Sequence, residues 1–344
     1  MKRVRKKKWI GGILAFFLCL MPMQTLAIEE IQSQQVQSES ADLLYANSAP
    51  AMYTYPMLQH DLVTLLTKYP TKLQISSLGQ SVQGREIYQI IWGNPNAPYA
   101  VFVDASIHAR EYINSQLVIA MLDFYGGCEL GNVCFYIIPM ANPDGVTLSQ
   151  IGPLGLTPQN SGFAQAGYAV EAREFKTLDR YVQRWKANAN GVDINRNFPT
   201  GWEGSEQKGY PCNELFKGAE PASEPETQLL MKAAGQRAFD LAVNYHSMGN
   251  LLYYGSAAAT PALQQASYIW ANFVSGSTGY PIRRSTGKNM GTFADYLTIE
   301  AGIPSVTIES GARPCPTGAD EFPLIWQRNY ALWGSLIQFF QARP

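Results

Sequence analysis

Short apolar runs alternate along this chain with longer segments in which apolar residues recur at helical spacing. The runs are rich in Val, Ile and Phe and have the length of buried strands; they cover residues 100–107, 133–140, 239–245 and 303–308. Helical spacing appears in residues 57–68, 112–125, 224–238, 260–278 and 324–342. A further strand pair is predicted around a short turn, in residues 73–77 and 87–92. This alternation predicts an α/β fold with a largely parallel or mixed sheet.

Two segments depart from this pattern. Residues 146–180 hold clusters of Gly, Pro and Gln, and we expect a long irregular excursion there. An excursion of this length in a compact domain is usually functional. Residues 28–50 are polar and rich in Gln and Ser, which predicts a flexible leader. No linker-like break follows, so residues 51–344 are interpreted as a single domain.

The N-terminus has the three parts of an export signal. Six basic residues lie within the first eight positions, residues 9–23 are apolar, and Thr25-Leu26-Ala27 supplies the small residues that a signal peptidase requires. We therefore expect residues 1–27 to be a signal peptide cleaved after Ala27, and the mature protein to be secreted or periplasmic, in the cell envelope. An uncleaved membrane anchor is the alternative, although the apolar run is short for a span. No other segment is expected to cross a membrane.

Charge and composition exclude some partners. The chain has 26 basic and 27 acidic residues, and beyond its first eight positions it is mildly acidic, which argues against a nucleic-acid partner. Its 46% hydrophobic content is sufficient for a sizeable core. We expect a monomer.

Four cysteines remain after signal cleavage, an even number that favours disulfides outside the cell. Their positions predict the pairs Cys128–Cys134, around a short loop, and Cys212–Cys315, between two loops flanked by proline. Other pairings are formally possible. A four-cysteine zinc site is the weaker alternative, because the spacing lacks two Cys-x-x-Cys pairs.

Three of the predicted strands end at residues that commonly bind metal. One ends just before His108, with Glu111 three positions on, and two later strands end before His246 and Glu309. Sites in open α/β sheets form outside the carboxyl ends of strands, so we expect these four side chains to lie together. The His-x-x-Glu spacing is a weak signal by itself, and the argument depends on the repetition. His60, in a charged helical stretch, is interpreted as a surface residue.

Two histidines and one glutamate, with a fourth position open to water, form a catalytic zinc arrangement, whereas a structural site would be closed by four protein ligands. His108, Glu111 and His246 are therefore predicted to bind one zinc ion per chain. Glu309 would take a proton from a water molecule and return it to a leaving amine. The alternatives are a core histidine, a helix N-terminal charge and a solvent-facing carboxylate.

Residues 191–199 (GVDINRNFP) place four polar side chains in an apolar setting. Asp193 is suited to accept the second ring N–H of a zinc-binding histidine, which would fix the tautomer. Arg196, helped by Asn195, is suited to bind a carboxylate with two hydrogen bonds. The alternative is a turn whose asparagines cap their neighbours.

Together these residues resemble the zinc carboxypeptidase family that includes pancreatic carboxypeptidases A and B. The resemblance covers about residues 53–343, and its motifs occur in the family's order: His108-Ala109-Arg110-Glu111, Asn142-Pro143-Asp144-Gly145, Gly191-Val192-Asp193-Ile194-Asn195-Arg196-Asn197, His246-Ser247 and Thr307-Ile308-Glu309. It implies a mixed, roughly eight-stranded sheet flanked by helices, one zinc ion, and hydrolysis of a C-terminal peptide bond.

The resemblance also implies roles for individual side chains. It supports the zinc and proton-transfer roles given above. It adds Asn195 and Arg196 as the residues that hold the substrate's terminal carboxylate, and Asp193 as the residue that orients His108. Arg110 is a further candidate for substrate binding.

The negative oxygen that forms during hydrolysis needs a positive partner besides zinc. Animal members of the family use an arginine in the segment before the GVD motif, which here is residues 184–190 (RWKANAN). Lys186 is the candidate for this catalytic role, and Arg184 is its rival.

The specificity pocket departs from the animal enzymes. Their mobile tyrosine has no counterpart in residues 283–291, which leaves the lid and the pocket unassigned. Asp295 would suit a basic substrate residue or have a structural role. Arg283, Arg284 and Lys288 would instead favour an acidic or doubly carboxylated substrate.

Several segments resemble more closely a bacterial branch that includes γ-D-glutamyl-diaminopimelate peptidases, namely Tyr53-x-Tyr55, Trp185-Lys186-Ala187-Asn188 and residues 218–227. We therefore expect a peptide or muropeptide substrate, and we prefer a peptidoglycan stem peptide over general protein degradation. A zinc amidase or deacylase is an alternative, although such enzymes usually lack the Asn-Arg pair. A non-catalytic binding protein of the same fold is another, but it would need no general base.

Overall fold

The structure, a computed structural model, describes residues 50–205, 207–285 and 290–343. The predicted signal peptide and nearly all of the predicted leader lie outside the described residues, as does Lys288. The structural account below therefore concerns the predicted domain.

Within these ranges, eight strands form one mixed sheet in the order β1-β2-β4-β3-β5-β8-β6-β7. The strands are β1 Leu73–Gln80, β2 Glu86–Trp92, β3 Tyr99–Ala105, β4 Val133–Ile138, β5 Leu241–His246, β6 Leu251–Tyr254, β7 Ile282–Arg284 and β8 Ser305–Glu309. Strands β4, β3, β5 and β8 are parallel, whereas β2 and β6 run antiparallel at their sides. The expected mixed sheet is confirmed, and the parallel strands end at one common edge.

The helices pack on both faces of this sheet. They are α1 Tyr55–Lys68, α2 Ile113–Tyr125, α3 Pro143–Ile151, α4 Pro158–Phe175, α5 Leu178–Gln183, α6 Pro225–Ala234, α7 Pro261–Thr278, α8 Phe293–Asp295, α9 Phe322–Asn329 and α10 Ala331–Gln341. A π-helical turn, Tyr296–Glu300, continues α8. None of the helices in the described part of the chain is both long and apolar enough to span a bilayer.

The burial of strand β3 on both faces explains why the predicted strands appear in the sequence as unbroken apolar runs. Val101 and Val103 lie in a core formed with α1, α2, α7, α9 and α10. Ala100 and Phe102 lie in a second core, formed with α6 and α8 on the other face. Successive strand residues face opposite sides, so a strand covered on both sides is apolar throughout.

The expected irregular excursion at residues 146–180 is wrong, because this segment is mostly helical and contains α3, α4 and α5. Its prolines occupy first helical turns, where no backbone N–H is needed. Thr157 and Asn160 form a capping box at the start of α4. Gly167 lies where a Cβ atom would be 2.3 Å from the Tyr181 hydroxyl, so glycine allows α4 to approach α5 closely.

Two other boundaries differ from the prediction. Strands β6 and β7 were not expected, because runs of four and three residues carry too little pattern to be recognised. The single helix predicted for residues 324–342 is two helices, α9 and α10, on either side of Tyr330.

Neither predicted disulfide is present among the described residues, where Cys134, Cys212 and Cys315 are free thiols. Cys134 lies in the core on the α6 face, 3.2 Å from Arg237, whereas Cys128 packs against the core on the opposite face. The sheet therefore separates the first pair. In the second pair, the Cys212 thiol donates to the Glu214 carbonyl, and the Cys315 sulfur lies 3.6 Å from the Thr317 hydroxyl.

Candidate active site

The predicted metal-type residues meet at the carboxyl edge of the parallel strands. His246 is the last residue of β5 and Glu309 the last of β8, and the two are direct neighbours in the strand register. His108 follows β3, and a 3₁₀ turn over Ala109–Glu111 brings Glu111 back toward it. The shared strand direction thus assembles all four side chains, as the sequence predicts.

Three of these side chains form a compact set of metal donors. The Nδ1 atoms of His108 and His246 are 3.0 Å apart, and they lie 2.9 Å and 3.0 Å from the two carboxylate oxygens of Glu111. All three residues are buried. A zinc ion with ligand bonds of about 2.0–2.1 Å separates neighbouring ligands by roughly 3.3 Å. The set therefore fits zinc with a fourth position left over, and it is the one candidate metal cluster in the described part of the chain.

Charge and burial act differently on the two histidines. Burial lowers the pKa of His108 to about 3, so its ring is held in the neutral form that binds metal. Burial also acts on His246, but the hydrogen bond and charge of Glu111 outweigh it and raise the pKa to about 9. Metal binding at such a site releases a proton.

Asp193 lies behind His108, as predicted. One of its oxygens is 3.6 Å from Nε2 of His108, and the other is 4.0 Å from the Lys186 ammonium. Burial would raise the pKa of Asp193, but the charges of Lys186, His108 and Arg196 outweigh it and hold the pKa at about 2. The carboxylate is therefore ionised and able to orient the imidazole.

A buried hydrogen-bond network that the sequence analysis missed supports the metal donors. The Ser310 hydroxyl donates to the Asn114 side-chain oxygen at 2.7 Å, and the Asn114 amide donates to Ser247 at 3.1 Å. The Ser247 backbone N–H donates to Glu111. Each member lies within three positions of a predicted site residue, which is the signal that could have found it.

The Asn142–Gly145 motif ties the metal-binding turn to the segment of Lys186. The Asn142 amide donates to the carbonyls of Ile107 and Ala187, and its oxygen accepts from the Gly145 N–H. A Cβ atom at Gly145 would lie 2.4 Å from the Ala187 carbonyl oxygen, so this contact requires glycine. The Ala109 N–H also donates to the Lys186 carbonyl at 3.1 Å.

Glu309 and Lys186 both line two cavities that adjoin the metal donors. Burial raises the pKa of Glu309 to about 7, and the positive charges of His246 and Lys186 limit this rise. A carboxyl group with such a pKa exchanges protons near neutral pH. The pair thus offers a proton-transfer group and a fixed cation at one position.

The larger cavity, of about 340 Å³, lies on the side of Arg196 and Asn195. Arg196 donates to the Asn195 carbonyl, and its buried Nε atom has no hydrogen-bond partner among the residues described. The other walls are mostly polar and include Asn244, Tyr253, Tyr254, Arg284, Thr292, Asp295 and Thr307. The sequence analysis did not find the two tyrosines, which come from the unpredicted strand β6.

The smaller cavity, of about 260 Å³, lies on the side of Arg110 and Arg184. Arg110 forms a 3.0 Å ion pair with Glu214 and donates to the Arg184 carbonyl. Met248, Pro314 and Cys315 complete the wall. Of the expected cations near the specificity pocket, Arg283 and Arg284 are both exposed. Arg284 lines the larger cavity and donates to the Gln264 side-chain oxygen, whereas Arg283 lines neither of the two.

Comparison with known proteins places this geometry in context. Residues 58–309 match the family model described as zinc carboxypeptidase. A γ-D-glutamyl-L-diamino acid endopeptidase of Lysinibacillus sphaericus is 28% identical over 297 residues, which are 82% of this chain and 71% of the relative. Metallocarboxypeptidase A of Trichophyton rubrum is 25% identical over 287 residues, 74% of this chain and 63% of the relative. The solved carboxypeptidase A of Helicoverpa armigera has the same fold, with a TM-score of 0.65 at 18% identity, covering 94% of this chain and 81% of that one.

Proposed function

This chain belongs to the zinc carboxypeptidase family and is a zinc metallopeptidase with the site His108, Glu111 and His246, and on that premise we propose that it cleaves γ-D-glutamyl-diaminopimelate bonds in peptidoglycan stem peptides. The name of the Lysinibacillus relative, a γ-D-glutamyl-L-diamino acid endopeptidase, supports this substrate class. The residues that line the larger cavity support the same substrate class.

The polar floor of the larger cavity is the observation that carries the proposal. Asn244 is 1% exposed, and within the part of the chain that the structure describes neither its amide nitrogen nor its oxygen has a hydrogen-bond partner. Arg284 and Asp295 add one charge of each sign to the walls. An apolar substrate residue would leave the Asn244 amide unpaired, which is costly. Diaminopimelate ends in an ammonium and a carboxylate, which match both the amide and the two charges.

The arrangement supports hydrolysis with clear roles for this chain's own residues. His108, Glu111 and His246 would hold the zinc ion, which would supply a Lewis acid for the scissile carbonyl and the attacking water. Glu309 takes a proton from the attacking water and gives it to the leaving amine, so one water is added across one amide bond. Lys186 stabilises the negative charge on the carbonyl oxygen. Arg196 and Asn195 bind the carboxylate of the leaving residue.

A general carboxypeptidase is the second candidate. The Asn195–Arg196 pair favours it, because binding a terminal carboxylate is needed for any C-terminal residue. The same pair argues against a zinc amidase or deacylase. Glu309 argues against a non-catalytic binding protein, since such a protein needs no proton-transfer group.

We also propose that the enzyme is exported. The basic start, the apolar run and the small residues up to Ala27 support this location. An enzyme that acts on the cell wall also has to reach the outside of the cytoplasmic membrane. Mass measurement of the protein from the culture medium or periplasm, with a new N-terminus at Ile28, would support the proposal. Recovery of the uncleaved chain in the membrane fraction would contradict it.

The function is tested by mass spectrometry of products from residues 28–344. The substrate mixture contains ordinary peptides with varied C-termini and muropeptides with the γ-D-glutamyl-diaminopimelate bond. We expect cleavage of the muropeptide bond at a higher kcat/KM than any other. Release of single C-terminal residues from ordinary peptides, with muropeptides left intact, would favour the second candidate.

A further inference from the structure

The smaller cavity has an excess of positive side chains. Arg110, Arg184 and Lys186 line it, and the only carboxylates in its lining are Glu111 and Glu309. Glu111 is directed at the two histidines, with which it makes contacts of 2.9 Å and 3.0 Å. The net charge of this cavity therefore depends on whether each of its three cations has a carboxylate beside it.

Two of the cations already have a carboxylate beside them. Arg110 pairs with Glu214 at 3.0 Å, and Lys186 lies 4.0 Å from Asp193. Arg184, at the end of α5, has no ion pair among the residues that the structure describes, and it is partly buried. Its backbone is fixed by Arg110, which donates to its carbonyl oxygen at 3.1 Å. The cavity thus holds one guanidinium that has no carboxylate partner among the described residues, carried on a backbone that Arg110 holds in place.

The position of the cavity identifies which part of a substrate reaches Arg184. The larger cavity contains Arg196, which binds the leaving residue under the proposed function. His108, Lys186 and Glu309 line both cavities, so the scissile bond lies between them. The smaller cavity therefore receives the acyl side of that bond.

We propose that Arg184 binds a free carboxylate on the acyl-side residue, so that the enzyme prefers an acidic residue there. This inference rests on the proposed function. In a γ-linked glutamyl residue the side-chain carboxyl forms the scissile bond, and the α-carboxylate stays free and charged. Arg184 would form a charge-assisted hydrogen bond with that carboxylate. Conversion of the α-carboxylate to an amide removes the charge and weakens binding.

The test compares two substrates that differ in this one group: γ-D-glutamyl-diaminopimelate peptide and its α-amide, the D-isoglutaminyl form. We expect the native enzyme to cleave the acid with a kcat/KM roughly tenfold above that of the amide, the range of a charged hydrogen bond. In Arg184→Gln the ratio should fall to about one. Arg180→Gln is the matched control, because Arg180 is exposed on the same helix and lines neither cavity. Zinc content and thermal melting of each variant verify folding.

The outcomes separate the two proposals. Equal rates on acid and amide by the native enzyme, or an acid preference that persists in Arg184→Gln, would overturn the role of Arg184. If the enzyme cleaves ordinary peptides but neither of these two substrates, the proposed function is wrong. The same acid and amide comparison is then made with Glu and Gln as the penultimate residue of an ordinary peptide, and a ratio near one there overturns the inference.

Discussion

The two cavities share His108, Lys186, Tyr253 and Glu309, yet their other walls differ in chemistry. The larger cavity adds neutral amides and hydroxyls together with charges of both signs. The smaller adds arginines, a methionine, a proline and a cysteine. The residues of the reaction therefore form the boundary between two recognition sites. A change in the shared residues should affect every substrate, whereas a change in one wall should affect one side of the bond.

Glu309→Gln should have the largest effect, because this residue serves both cavities. Glutamine keeps the shape but cannot accept the proton, and we expect kcat to fall roughly 10²–10⁴-fold on all substrates. Zinc content, measured by atomic emission, should be unchanged because Glu309 is not among the three donors. Normal turnover by this variant would show that Glu309 has no such role.

Lys186→Met should follow, again on all substrates. Loss of the positive charge beside the carbonyl oxygen is expected to lower kcat roughly 10²–10³-fold, with little change in KM. Lys186→Arg keeps the charge and should recover part of the rate. A variant that altered KM alone would indicate that Lys186 only binds substrate.

Arg196→Gln should weaken substrate binding in the larger cavity and leave recognition in the smaller cavity unchanged. We expect KM to rise roughly 10- to 100-fold for substrates with a free C-terminal carboxylate, the cost of a lost charged hydrogen bond. Substrates ending in an amide provide the comparison, since they lack the group that Arg196 binds. An equal loss on both kinds would contradict the assignment.

Asn244→Leu should have the smallest effect and the most specific one. The number and branching of side-chain heavy atoms are kept while the cavity floor becomes apolar, so preference should shift about tenfold from polar toward apolar leaving residues. The acid and amide comparison at the acyl side should not change. Stability should not fall, because an unpaired buried amide is removed; an unaltered preference would show that Asn244 is not part of the recognition surface.

The sequence was most informative about the edge of the sheet. His108, His246 and Glu309 each follow an apolar run, and parallel neighbours end at one edge, so their meeting was predictable without any tertiary knowledge. Parallel neighbouring strands run in the same direction, so the residues at their carboxyl ends come together. The position of Asp193 behind His108 depended instead on the family resemblance.

Other features depend on packing that no local pattern encodes. The smaller cavity needs Pro314 and Cys315 beside Arg184, residues far apart in the chain. The prolines of residues 146–180 are equally typical of loops and of first helical turns, and Gly167, inside α4, is explained by a close approach to Tyr181 that no local pattern shows. The predicted Cys128–Cys134 pair is wrong because cysteine spacing does not specify which face of a sheet each thiol occupies.

The tie between the metal-binding turn and the Lys186 segment makes the reactive set a property of the tertiary fold. The side chains of the reaction come from residues spread over positions 108–309, and Asn142 and Gly145 join two of their segments. A chain without this tertiary structure therefore does not bring these side chains together.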